Sequence, residues 1–122
     1  MEMLDTNIVL RYLLNDNEKM ADEAEKTIKT GDAQIAIEVL AEVVYVLKGV
    51  YKIEREAITF SLLDFLSEVQ ITESQVARLG LETYAKYNLD FVDCILYAYN
   101  RIKGYKIKTF DKKLIRLLER DI

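Results

Sequence analysis

The chain has 122 residues, 51% of them hydrophobic, with 17 Lys and Arg against 21 Asp and Glu, one Cys, no Pro and no His. That length suits a single domain, 1–122, burying roughly two-thirds of its unfolded surface. The missing imidazole excludes Ser-His-Asp and Cys-His nucleophilic machinery, His acid–base pairs and His-ligated zinc. Cys94 alone excludes an internal disulfide framework or a cysteine metal cluster, and suits a reducing compartment. No apolar run approaches the roughly 18 residues of a membrane span. Met1-Glu2-Met3 begins no signal peptide, so a cytoplasmic protein without membrane contact is expected.

In chain order, Met1–Leu4 reads as a first strand and Thr6–Leu14 as a helix with Ile8, Val9, Tyr12 and Leu13 on one side. Asn15-Asp16-Asn17 breaks it. Glu18–Lys29 is a charged helix whose inner face is Met20, Ala24 and Ile28, ended by Gly31. Ala33–Ile37 is a second strand, and Glu38–Gly49 an apolar helix stopped by Gly49. Arg55–Ser67 is a helix with Ile58, Leu62, Phe65 and Leu66 inward, and Val69–Ile71 a third strand. Glu73–Tyr87 and Phe91–Lys103 are helices split at Asn88, with Gly104 closing the second. Tyr105–Thr109 is a fourth strand and Lys112–Arg120 the last helix. Strands joined by helical crossovers predict a three-layer α/β/α domain on a central, mainly parallel sheet. In such sheets ligands bind beyond the carboxyl ends of the strands.

Charge is unevenly spread. Residues 1–100 hold 9 basic and 18 acidic side chains, whereas residues 101–122 hold 8 basic and 3 acidic ones. An acidic body with a basic end suits either a solvated terminal helix or contact with a polyanion.

Most acids stand in charged company on helix faces, and four do not. Asp5 follows the first strand and opens a helix in Leu4-Asp5-Thr6-Asn7-Ile8. Glu42 interrupts the apolar run Val39-Leu40-Ala41-Glu42-Val43-Val44, where burying a carboxylate is unfavourable unless it meets a cation. Asp93 lies in Phe91-Val92-Asp93-Cys94-Ile95, with Asp90 three residues earlier. Asp111 follows the fourth strand in Thr109-Phe110-Asp111. Helix capping accounts for Asp5, Asp90 and Asp111 singly, and a polar gap shared with Glu38 accounts for Glu42. Four acids at one end of one sheet suit a hard cation, Mg²⁺ or Mn²⁺, bound through oxygen alone. Such an ion activates water and stabilises displacement at a phosphodiester. A receiver-like Mg²⁺-binding signalling module shares the topology, but it alternates single helices with strands and places adjacent acids early. A haloacid-dehalogenase-like phosphatase wants an Asp where Asn7 stands.

Leu4-Asp5-Thr6-Asn7, Leu40-Ala41-Glu42-Val43, Leu89-Asp90-Phe91-Val92-Asp93 and Thr109-Phe110-Asp111, in this order, resemble the acidic motifs of the PIN-domain nucleases. More narrowly, the chain is similar to the VapC-type ribonuclease toxins of type II toxin–antitoxin systems. The resemblance implies Mg²⁺- or Mn²⁺-dependent RNA cleavage with Asp5, Glu42, Asp93 and Asp111 as catalytic metal ligands. It implies accessory roles for Asp90, Thr6, Asn7 and Thr109, a homodimer, and a cognate antitoxin protein. Lys112, Lys113 and Arg116 are candidate RNA phosphate contacts. A PIN-fold RNA-processing nuclease that is not a toxin fits the same motifs. Cys94 stands where the family often has Ala, and Asn15–Asn17 lacks a common proline.

Overall fold

The computed structural model describes residues 1–120, and Asp121, counted above in the terminal charge, lies outside them. Its elements are β1 (Glu2–Met3), α1 (Thr6–Leu14), α2 (Glu18–Lys29), β2 (Ala33–Ile35), α3 (Ile37–Gly49), α4 (Arg55–Phe65), β3 (Gln70–Ile71), α5 (Ser74–Lys86), α6 (Phe91–Lys103) and α7 (Lys112–Arg120). The strands form one parallel sheet in the order β1-β2-β3. Glu2 pairs with Ala33, Met3 with Gln34, Gln34 with Gln70, and Ile35 with Ile71. Two helices fill each crossover, α1 and α2 from β1 to β2, then α3 and α4 from β2 to β3. This pairing departs from the single-helix alternation of a receiver module.

Parallel strands bring their carboxyl ends to one edge. There the Ile37 amide donates to the Thr72 hydroxyl at 2.8 Å, and the Thr72 amide to the Ile35 carbonyl at 3.1 Å. That bond starts α3 at Ile37 and ends β2 at Ile35, two residues short of the expected Ala33–Ile37 strand. The core draws Val9 and Leu10 from α1, Ile35 from β2, Leu40, Val43, Val44 and Leu47 from α3, and Ile58, Leu62 and Phe65 from α4. Val76, Leu81, Cys94, Ala98 and Leu114 complete it from the later helices. Burial of such side chains contributes roughly 1.5–3 kcal/mol each, which is what holds short strands in place.

Two expectations need correction. No strand forms over Tyr105–Thr109, because Asn100 Nδ2 on α6 donates to the Tyr105 carbonyl at 2.8 Å and no described backbone bond joins this segment to the sheet. Met20 is exposed, and the buried stripe of α2 is Ala21, Ala24 and Ile28, the spacing a 3.6-residue period requires. Among the described residues no helix is long and apolar enough to cross a membrane.

Candidate active site

Asp5 leaves β1 as the N-cap of α1, its backbone extended (φ −88°, ψ 173°), and one carboxylate oxygen accepts the Ile8 amide at 3.0 Å. The other oxygen is not used by the cap. The next residue, Thr6, donates its hydroxyl to Glu42 Oε1, which ties the start of α1 to the middle of α3. Glu42 is exposed although Leu40, Val43 and Val44 around it are buried, so the expected penalty of a carboxylate inside an apolar run does not arise. Asn7 is exposed and makes no side-chain hydrogen bond among the described residues.

A second group forms where α5 turns into α6. The guanidinium of Arg55, the first residue of α4, donates from Nη1 to the carbonyls of Leu89, Tyr87 and Tyr84 at 2.7, 2.9 and 3.2 Å. It also lies 4.2 Å from the centre of the Tyr84 ring. Tyr84 in turn meets Phe91 edge-on, with centroids 5.7 Å apart. These contacts hold the Tyr87–Asp90 turn that carries the chain into α6. Asp90 occupies the N-cap position of α6 without a side-chain capping bond, so capping does not account for its carboxylate. Asp93, one turn in, is half-buried. Burial raises its carboxyl pKa above the usual carboxylate range, and the charges of Asp111 and Asp90 raise it further. Burial likewise pushes the Cys94 thiol up to about 12, so it is no nucleophile.

Asp111 caps α7. Its carboxylate accepts the Leu114 amide at 2.9 Å, and its own amide donates to the Thr109 hydroxyl at 3.0 Å. Asp90, Asp93 and Asp111 face one cavity of about 440 Å³. Its rim is cationic, made by Lys112, Lys113 and Arg116, with Arg55 at its back. Of the sequence-predicted acids, Glu42 is bonded to Thr6, next in the chain to Asp5, whereas Asp90, Asp93 and Asp111 line the cavity; α3, which carries Glu42, contacts α6, which carries Asp93.

Among the described residues, none of these five carboxylates is paired with a Lys or Arg. No three acidic side chains stand close enough to enclose an ion in this arrangement. The donors are all oxygen and uncompensated, which fits a hard divalent cation.

Arg55 was not legible as a site residue. Its one signal is electrostatic: a cation at the first position of a helix faces the positive end of the helix dipole, an unfavourable place it keeps for its carbonyl contacts.

Comparison with curated proteins and with solved structures returns no match. The sequence model described as the PIN domain matches residues 3–119, from the strand before Asp5 through the helix after Asp111. PIN domains are generally divalent-metal-dependent nucleases, and this chain belongs to the PIN domain family.

Proposed function

We propose that the protein is a Mg²⁺- or Mn²⁺-dependent endoribonuclease, acting in the cytoplasm as the VapC-type toxin of a type II toxin–antitoxin pair. The observation that carries the reading is the cavity in which Asp90, Asp93 and Asp111 face a rim of Lys112, Lys113 and Arg116. Acids and cations that, among the described residues, form no ion pair with one another are what a phosphodiester and its metal together require. The wider motif resemblance supports the toxin assignment, a homodimer, and inhibition by a cognate antitoxin.

Asp5, Glu42, Asp93 and Asp111 would hold the cation. When bound, it supplies a water of lowered pKa and stabilises charge on the phosphodiester. The chain's own residues do the rest. The Ile8 amide holds one oxygen of Asp5, and Thr6 fixes the direction of the Glu42 carboxylate. Thr109 sets the backbone of Asp111. Lys112, Lys113 and Arg116 hold the RNA phosphates and position the strand without reading its bases. Asp90 and Asn7 flank the ligands. With no histidine in the chain, no imidazole moves a proton.

Purified protein is incubated with tRNA and rRNA in Mg²⁺ or Mn²⁺. Cleavage that stops with chelator and falls at least a hundredfold in Asp93→Asn supports the enzyme; cleavage that persists in either case overturns it. Growth arrest on expression, relieved by the product of the adjacent reading frame, supports the toxin role. Cleavage without growth arrest assigns an RNA-processing nuclease instead.

A further inference from the structure

We infer that the ring of Phe110 is a stacking platform for an unpaired nucleobase of the RNA, beside the acidic cavity. The inference rests on the ribonuclease reading and adds a residue that grips the base rather than the phosphate. Phe110 is 90% exposed, more than any other large hydrophobic side chain described. A single exposed apolar residue needs no explanation by itself. Three further observations at this position ask for one.

Phe110 is the chain neighbour of Asp111, which lines the cavity. Phe110 lies between Thr109 and Asp111, whose mutual hydrogen bond at 3.0 Å and cap to Leu114 fix the backbone on which the ring stands. A cation lies over it: Lys108 Nζ is 5.8 Å from the ring centre, and Lys112 and Lys113 come after Asp111 in the chain. A second exposed aromatic precedes it. Tyr105, 57% exposed, stacks on Tyr99 with centroids 6.0 Å apart and planes at 14°. Among the described residues, the segment joining the two rings is bound into no sheet.

Aromatic faces interleaved with lysines are the means by which proteins hold single strands: the base stacks and the cations follow the backbone. A second copy of this chain is the other partner a bare Phe could meet. A twofold contact through the Phe110 ring would bring Lys108, which lies over that ring, near its own copy, whereas a polyanion neutralises it. In a duplex the base faces are already covered by neighbouring bases, so the platform favours single-stranded RNA.

The chain has no tryptophan, so Phe110→Trp carries a single indole. With chelator present to prevent cleavage, single-stranded oligoadenylate should quench its fluorescence and the same strand in a duplex should not. Phe110→Leu should bind the single strand about 5- to 150-fold more weakly, the range of one lost base–aromatic stack, and Phe110→Tyr should restore binding. Circular dichroism melts check that each variant is folded. Absence of quenching, or parental affinity in Phe110→Leu, overturns the inference even if the parent cleaves RNA. A Phe110→Leu protein of reduced assembly mass and parental RNA affinity also overturns it, assigning the ring to an interface between copies. A parent that neither binds nor cleaves RNA with metal removes the ribonuclease reading as well.

Discussion

Asp5 serves α1 with one oxygen and leaves the other for a ligand, so its two roles separate by substitution. Asn caps a helix as well as Asp does, whereas Ala does not. Asp5→Asn should therefore unfold at the parental urea midpoint, while Asp5→Ala loses about 1 kcal/mol of stability. Both should lose nuclease activity. Asp93 is the converse, a residue whose ionisation works against folding. Its pKa is raised in the native state, so as pH rises past the ordinary carboxylate range the unfolded chain gives up this proton first, and stability falls. Without metal, Asp93→Asn should melt above the parent at neutral pH, and the gap should close as the pH drops below that range. A melting temperature lower than the parent's at neutral pH would contradict this. At this scale Glu42 and Asp93 stood out because apolar residues flank them, and Asp5 and Asp111 because each directly precedes a helix. The side-chain direction of Glu42 was not visible, because a helix can turn one residue of an apolar run outward without altering the run. Arg55 escaped because its partners are backbone carbonyls, which leave no trace in residue types.

Among elements, the helices were legible to within a residue or two, since apolar periodicity and the turns at Asn15, Gly31 and Gly104 mark them; Asn15, Gly31 and Gly104 all have positive φ. The strands were legible only as places. With two or three residues each, they are defined by their partners, and Tyr105–Thr109 has an alternating sequence but no partner. The pair α5 and α6, which share the most extensive helix contact, positions Asp93 through a glycine. A Cβ at Gly80 would stand 2.7 Å from the Cδ1 methyl of Ile95, two residues beyond Asp93. That methyl is the free end of a side chain and can turn aside, and Ala gains about 1 kcal/mol of helix propensity over Gly. Gly80→Ala should thus stay within about 1 kcal/mol of the parent in urea titrations. Gly80→Val, whose branched side chain has nowhere to go, should lose about 1–3 kcal/mol by overpacking.

At the scale of the whole molecule, the net charge of −4 averages over an acidic body and a basic end. The structure puts part of that basic end, Lys112, Lys113 and Arg116, on the rim of the cavity that holds Asp93. Each phosphate contact on a single strand contributes about 0.7 to the slope of log affinity against log salt. Replacing all three by Ala should therefore flatten the slope for single-stranded RNA by about 2; an unchanged slope would remove them from the interface. The α/β class and the parallel sheet were readable from the order of elements along the chain. That Glu42 meets Thr6 while Asp93 lines the cavity with Asp90 and Asp111 was not, since it depends on how the helices pack.

The proposed chemistry requires Glu42 and Asp93 to share one cation site. Calorimetric titration of Mn²⁺ into the parent, Glu42→Gln, Asp93→Asn and the double variant tests this most directly. Each single substitution should weaken binding at least tenfold, about 1.4 kcal/mol, and the double variant should fall short of the sum of the two. Parental affinity in either single variant, or fully additive losses in the double variant, would contradict a shared site.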